Sequence, residues 1–293
     1  MYLIIFIFSI IIILILLALW NYLLRNNTDT VNMDMVSVAK KSGFIPYPHN
    51  RKKCQELVLS CQNTKKYRIA IVCLSVGSRK FAQISREFLT KYCNKHGYDL
   101  HYFTEILDPN YTVIWQKILA FRKVFMMDTG SDKTSPACTS KQAKYDYIMW
   151  IDDDIIIKNM NIKVEDFIAL SDKPIIASQD VFTQYYDIHI NAGTFIFKNC
   201  KIAREVIDAW VEGYHNVFDG RFQTAPYHDQ NVLVYLYFTK YHPSIEVLPH
   251  GIMQTIYGRY ESWEGEFATH LAGVKISKRN KIAEEYKYKL CED

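Results

Sequence analysis

The chain has 293 residues, of which 49% are hydrophobic and 23% are charged; this composition is typical of a globular protein and argues against intrinsic disorder. The formal net charge is only +4, and Lys and Arg form no dense block, which argues against nucleic acid as a partner. The count of seven cysteines is odd, so at least one has no partner within the chain, and a small fold held together by disulfides is excluded.

The amino terminus begins with an uncharged run over residues 2–19, made mostly of Ile, Leu and Phe. This run just reaches the length that is needed to cross a bilayer. A cleaved signal peptide is the alternative, but no basic residue precedes the run and no small-residue cleavage site follows it. Trp20 and Tyr22 suit the membrane interface. We therefore predict an uncleaved transmembrane anchor over residues 1–24.

The orientation of this anchor stays open. Arg25, Lys40 and Lys41 follow the run and no basic residue precedes it, so the positive-inside rule would place the rest of the chain in the cytosol. The rule is weak here because the bias is small and the part that follows is long. Residues 25–66 are polar without sustained periodicity and are predicted to be a stem, and residues 67–293 are predicted to be the folded domain.

Strands and helices are predicted to alternate from Tyr67 onward. Strands are expected at 68–76, 98–103, 147–151, 174–178, 193–198 and 245–248, and helices at 79–96, 113–127, 164–170, 203–214 and 229–238. Gly97 is expected to end the first of these helices. The alternation predicts an α/β fold with a mostly parallel sheet, in which ligands bind beyond the carboxyl ends of the strands. The glycine-rich dinucleotide motif is absent after the first strand, which argues against a nicotinamide-dependent enzyme.

Three consecutive acids, Asp152, Asp153 and Asp154, separate two apolar runs that are typical of buried strands. Unpaired carboxylates are costly to bury, so we expect these acids at the end of a strand, beside a cation. Magnesium and manganese prefer oxygen ligands and often share carboxylates with substrate phosphates. Alternate residues of an extended segment face the same way, so Asp152 and Asp154 are predicted to face one ion. A solvated acidic turn is the alternative.

Several short motifs follow one another in a fixed order along the chain. They are WIDDD at 150–154, NAGTF at 191–195 with KNC at 198–200, HDQ at 228–230 and HLAG at 270–273, with WQKI at 115–118 in support. This ordered set resembles the retaining α-glycosyltransferases of family 34, which include fungal Golgi galactosyl- and mannosyltransferases and plant xyloglucan xylosyltransferases. The resemblance covers about residues 67–275.

The resemblance implies a GT-A fold, a nucleotide-sugar donor and a bound manganese or magnesium ion. The implied metal ligands are Asp152, Asp154 and His270. The implied donor-binding residues are Asp152, Asp153, Asn191, Gly193, Gly273 and Lys275, and the implied catalytic residues are Asp229 and Gln230. His228 and Val274 depart from the family pattern, which often has Asp and Cys at these places.

The same residues also have ordinary structural explanations. Without the resemblance, His270 is best explained as a surface or capping histidine. Asn191 and Gly193 fit the start of a strand, although a glycine would also let a sugar approach the backbone closely. Asp229 and Gln230 stand at the start of a predicted helix, where an acid is favoured by capping and by the helix dipole.

Retention of configuration allows two mechanisms. A double displacement needs a protein nucleophile, for which Asp229 or Gln230 is the candidate. A front-face route needs only the leaving phosphate as a base, and we favour it, with Gln230 stabilising positive charge on the sugar.

The function predicted from the sequence is transfer of galactose, mannose or xylose from a UDP- or GDP-sugar to a glycan or glycoprotein acceptor. The resemblance places it in the Golgi or endoplasmic reticulum lumen, as a single-pass type II membrane protein. No nucleic-acid partner is expected, and homodimer formation is left open. The alternatives are a metal-dependent phosphoryl-transfer enzyme or nucleotide-sugar hydrolase that uses the same acids, and a non-catalytic membrane-tethered lectin.

Overall fold

The computed structural model describes residues 51–60, 66–127, 143–180, 190–216, 228–259 and 265–290. The predicted anchor at 1–24 lies outside these ranges. Within them, no helix has the length and the apolar composition needed to cross a bilayer.

The described residues form seven α-helices and nine strands. The helices are α1 (Arg51–Ser60), α2 (Lys80–His96), α3 (Gln116–Phe125), α4 (Val164–Ile168), α5 (Lys201–Asn216), α6 (His228–Leu236) and α7 (Ile276–Leu290). The strands are β1 (Ile69–Leu74), β2 (Asp99–Phe103), β3 (Tyr147–Ile151), β4 (Ile155–Ile157), β5 (Ile175–Gln179), β6 (Ile190–Lys198), β7 (Ile245–Leu248), β8 (Thr255–Ile256) and β9 (Ala268–His270). Gly97 ends α2 with a φ of 73°, as predicted.

The main sheet has six strands in the order β2-β1-β3-β6-β5-β7. Strand β1 is parallel to β2 and β3, and β5 is parallel to β7. Strand β6, however, runs antiparallel to both of its neighbours, β3 and β5. The predicted α/β fold is confirmed, but the sheet is mixed, so the prediction of a mostly parallel sheet was wrong for β6. Only ten residues join β5 to β6, too few for the crossover that a parallel pair requires.

Both faces of the sheet are covered, which explains why its central strands read as unbroken apolar runs. On one face, the ring of Phe121 on α3 packs against Phe195 and Phe197 of β6, with ring centroids 4.8 and 5.2 Å apart. On the other face, Leu89 and Tyr92 of α2 are buried in the core cluster that includes alternate residues of β1. The main sheet, with β3 in it, therefore lies between helix α3 on one face and helix α2 on the other.

Helix α1 lies inside the segment that was predicted to be a stem. Cys54 and Val58, four residues apart and therefore on one face of the helix, are buried in the same core cluster as Ile69 and Leu89. Residues 51–60 therefore pack on the domain.

A second sheet has three short strands in the order β4-β9-β8, and the last residue of β9 is His270. His270 of the central strand β9 pairs with Ile155 of β4 on one side and with Ile256 of β8 on the other. Helix α7 follows this sheet, and its Ile282 and Ala283 pack in a cluster with residues of α2. The sequence did not predict β8, β9 or α7.

Candidate active site

The three acids lie in a tight turn between β3 and β4, at the carboxyl end of β3. The N–H group of Ile155 donates a hydrogen bond to the carbonyl oxygen of Asp152 at 3.2 Å, which closes the turn. The N–H group of Asp152 donates to the carbonyl oxygen of Gly193 on β6 at 2.9 Å. The directions of the carboxylates are therefore set by a turn that is fixed to β6, and not by the extended segment that we predicted.

Asp152 and Asp154 share a partner that Asp153 does not contact. Atom Nε2 of His270 lies 3.1 Å from Oδ1 of Asp154 and 3.9 Å from Oδ2 of Asp152, whereas Asp153 forms an ion pair with Arg79. Burial raises the pKa of Asp153 to about 6. The two outer acids therefore both face His270; that they bind one ion stays a prediction.

The geometry of Asp152, Asp154 and His270 fits a divalent cation. One ligand atom from each residue lies within 4.8 Å of the others, and neighbouring ligands of an octahedral ion stand about 3 Å apart when each is about 2.1 Å from the ion. The remaining carboxylate oxygens are held by the protein. Oδ1 of Asp152 accepts a hydrogen bond from Nε1 of Trp150 at 2.6 Å, and Oδ2 of Asp154 lies 2.8 Å from Nη1 of Arg279. Each carboxylate therefore turns its other oxygen toward His270.

The imidazole of His270 is pressed against Gly193. A Cβ atom built on Gly193 would lie 2.5 Å from Cε1 of His270 and 2.8 Å from Oδ1 of Asn191, so any side chain at this position would force these two side chains to move. Nδ1 of His270 is buried and has no hydrogen-bond partner among the described residues. The need for glycine at position 193 therefore comes from the position of the histidine.

The negative charge of the site changes the protonation of its members. Burial lowers the pKa of His270, but the carboxylates of Asp154 and Asp152 outweigh this effect and raise the pKa above its ordinary value. Burial raises the pKa of Asp154, but the charge of His270 outweighs it and lowers the pKa. Burial also raises the pKa of Asp152. A divalent cation would replace the proton of His270 and relieve the repulsion between the carboxylates.

A buried lysine joins this turn to the start of α6. Nζ of Lys117 lies 2.8 Å from Oδ2 of Asp229 and 3.7 Å from Oδ1 of Asp152, and it donates to the carbonyl oxygen of Ala192 at 3.1 Å. Burial lowers the pKa of Lys117, but Asp152 and Asp229 outweigh it and raise the pKa to about 12. The predicted sites did not include this residue. Two signals were available: its place in the WQKI motif at 115–118, and its spacing of four from Phe121, which puts it on the helix face that packs on the sheet.

The amides of Asn191 and Gln230 lie on the β5 and β6 side of the site. Oε1 of Gln230 accepts a hydrogen bond from the N–H group of Ala192 at 3.0 Å, and its Nε2 donates to Oδ2 of Asp180 at 2.8 Å. Oδ1 of Asn191 accepts from the N–H group of Gly193 at 2.8 Å. The structure thus brings the predicted residues of β6 and α6 together with the acidic turn.

Two predicted residues stand apart from this network. Gly273 has a φ of 72° in the exposed turn between β9 and α7. The side chain of Lys275 is exposed and makes no hydrogen bond or ion pair with any described residue. Arg279, one helical turn further, contacts Asp154, whereas Lys275 does not. Contact of Lys275 with a diphosphate stays a prediction.

The chain is similar to known glycosyltransferases in sequence. Residues 170–281 match the sequence model of the galactosyl transferase GMA12/MNN10 family. "Probable glycosyltransferase 5" of Oryza sativa subsp. indica is 23% identical over 233 residues, covering 68% of this chain and 47% of the relative. "Probable glycosyltransferase 4" of the same plant is 23% identical over 165 residues, covering 52% of this chain and 31% of the relative. The chain thus spans less than half of the length of these relatives.

The fold also has a counterpart among solved structures. The crystal structure of a glycosyltransferase involved in the glycosylation of the major capsid of PBCV-1 has a TM-score of 0.53 and 21% sequence identity, covering 74% of this chain and 98% of that one. This likeness supports the α/β fold. The sequence matches confirm the predicted resemblance to family 34, with the family model matching over residues 170–281.

Proposed function

We propose that this chain, whose residues 170–281 match the model of the galactosyl transferase GMA12/MNN10 family, is a metal-dependent retaining α-glycosyltransferase. It transfers galactose, mannose or xylose from a UDP- or GDP-sugar to a glycan or glycoprotein acceptor. The observation that carries the proposal is the cluster of Asp152, Asp154 and His270 at the carboxyl end of β3, where ligands of α/β folds bind. The proposal includes a type II membrane anchor at 1–24, in the Golgi or endoplasmic reticulum.

The protein's part in metal binding is to hold three ligands in fixed directions. Trp150 and Arg279 each bind one carboxylate oxygen, which orients Asp152 and Asp154, and such outer partners commonly contribute to metal affinity. A bound manganese or magnesium ion would neutralise the charge that develops on the leaving diphosphate.

The surroundings of Asp229 support the front-face route for retention. Its carboxylate is buried and lies 2.8 Å from the ammonium group of Lys117. An attack by this carboxylate on the sugar would take from the buried lysine the nearer of its two carboxylate partners, Asp229 at 2.8 Å and Asp152 at 3.7 Å, which is costly. Gln230 keeps the role of stabilising positive charge on the sugar, through the lone pair of Oε1 that Ala192 does not use.

Thermal unfolding of the full-length chain tests the proposal, because a ligand that binds only the folded state raises the midpoint. With manganese present, we expect UDP or GDP to raise the midpoint and inorganic phosphate to leave it unchanged. The shift should disappear without metal and in Asp154→Asn. The matched control is Asp208→Asn, an exposed carboxylate paired with Arg122 on the surface, which should keep the shift. The absence of any nucleotide-dependent shift in the wild-type chain would rule the proposal out.

A further inference from the structure

Asp180, at the end of β5, joins two amides that belong to different elements. Its Oδ2 accepts a hydrogen bond from Nε2 of Gln230 on α6 at 2.8 Å, and its Oδ1 accepts from Nδ2 of Asn191 on β6 at 3.2 Å. Asp180 belongs to none of the motifs recognised in the sequence.

The opposite ends of the two amides are fixed by the backbone of β6. Oε1 of Gln230 accepts from the N–H group of Ala192, and Oδ1 of Asn191 accepts from the N–H group of Gly193. The pairing of β5 with β6 is irregular here, because the register passes from Ala177 opposite Phe195 directly to Ser178 opposite Asn191. The two amides therefore bind the strand where its regular pairing with β5 is interrupted.

The chemistry of Asp180 decides which way each amide faces. An ionised carboxylate can only accept hydrogen bonds, whereas an amide has a donating end and an accepting end. The NH₂ groups of Asn191 and Gln230 must therefore face Asp180, and their carbonyl oxygens must face the N–H groups of β6. Oδ1 of Asn191 also accepts from Nε2 of the buried Gln254 at 2.6 Å, so both of its lone pairs are used. Asn191 can then offer a further ligand only an N–H group.

We propose that Asp180 is a positioning residue that fixes the amides of Asn191 and Gln230 to bind hydroxyl groups of the transferred sugar. This inference rests on the proposed function. The two amides lie beside the cluster of Asp152, Asp154 and His270. Gly193, which binds the amide of Asn191, also lies against the ring of His270 and accepts a hydrogen bond from the N–H group of Asp152. Each amide nitrogen carries two hydrogens and uses one on Asp180, which leaves one for a hydroxyl oxygen. A sugar presents several hydroxyl groups to such donors.

A role in binding the sugar can be separated from a role in the stability of the whole site. The test compares the binding of free nucleotides with that of nucleotide sugars by the full-length chain, in the presence of manganese. Calorimetry would compare UDP with UDP-galactose and UDP-xylose, and GDP with GDP-mannose. The side chain of Asn has one oxygen that accepts and one NH₂ group that donates. After Asp180→Asn, the amide of either Asn191 or Gln230 therefore loses its acceptor, or turns over to offer its own oxygen. We expect Asp180→Asn to weaken binding of the nucleotide sugar by about tenfold to a hundredfold and to leave binding of the free nucleotide unchanged. Asp208→Asn is the matched control and should change neither.

A double-mutant cycle tests whether Asp180 acts through Gln230. In the Gln230→Ala background, the effect of Asp180→Asn on the nucleotide sugar should be much smaller than in the wild-type chain. If Asp180→Asn does not fold, Asp180→Ser, which still accepts a hydrogen bond, takes its place. Equal losses for nucleotide and nucleotide sugar, full additivity in the cycle, or no loss at all would each overturn the inference. Failure of the wild-type chain to bind any nucleotide would overturn the proposed function as well.

Discussion

At the scale of single residues, the site depends on the contact between the imidazole ring of His270 and the backbone of Gly193. The imidazole of His270 occupies the space that a Cβ atom would need at Gly193, and Gly193 in turn binds the acidic turn through its carbonyl oxygen. One glycine therefore fixes the distance between the histidine and the two carboxylates, Asp152 and Asp154.

Gly193→Ala should move His270 away from the carboxylates, because the added methyl group would overlap the ring. We expect the affinity for manganese to fall by about tenfold to a hundredfold, the range known for residues that orient metal ligands, with little loss of secondary structure. Manganese titration calorimetry together with circular dichroism checks this. Wild-type affinity in a folded Gly193→Ala protein would show that the contact does not position the histidine.

The protonation of His270 should make metal binding depend on pH. The carboxylates of Asp154 and Asp152 raise the pKa of His270 above its ordinary value, and only the neutral imidazole can bind a metal. Affinity for manganese should therefore be full above the raised pKa and fall as the pH drops through it, starting above the ordinary value of about 6.5. Titrations at several pH values between about 8 and about 5.5 check the direction. Affinity that stays constant over this range would argue against His270 as a ligand.

At the scale of the elements, α3 carries one buried and one exposed ion pair. Lys117 is largely buried against Asp229, with side chains only 12% and 5% exposed, whereas Arg122 and Asp208 are 47% and 39% exposed. The same helix therefore allows a buried pair and a surface pair to be compared directly.

Lys117→Met should destabilise the fold by about 3–5 kcal/mol, because it leaves the carboxylate of Asp229 buried without a cation. Arg122→Met should cost less than about 1 kcal/mol, as is usual for an exposed pair. Adding Asp229→Asn to Lys117→Met should recover part of the loss, since both charges are then gone. The free energy of unfolding in urea measures all three. Equal costs for Lys117→Met and Arg122→Met would contradict the account of the buried pair.

Most of the long elements could be predicted from the sequence because each has a strong local pattern, although the 15-residue α7 was missed. Strand β1 is one unbroken apolar run, and α2 ends at Gly97, where glycine adopts a left-handed conformation. Strands β8 and β9 have only two and three residues, too few to show a periodicity, and they were missed. The direction of β6 depends on how its ends connect and pack, which alternation of strands and helices does not reveal.

At the scale of the whole molecule, the site is assembled from segments that are far apart in the chain. The acidic turn and His270 were found in the sequence because each lies in a recognisable motif. Asp180 lies in none of these motifs, and Lys117 lies in the supporting WQKI motif but was assigned no role. The partners of both are on other elements: Asp180 binds Gln230, 50 residues away, and Lys117 binds Ala192, 75 residues away. Such contacts are set by the fold and leave no local pattern.

The most direct measurement of the central claim is manganese binding followed by electron paramagnetic resonance, with the full-length chain and UDP or GDP present. The account predicts one tightly bound ion in the wild-type chain, and loss of that ion in Asp152→Asn, in Asp154→Asn and in His270→Gln, with Asp208→Asn behaving as wild type. Tight binding that survives all three substitutions would place the ion elsewhere and contradict the account.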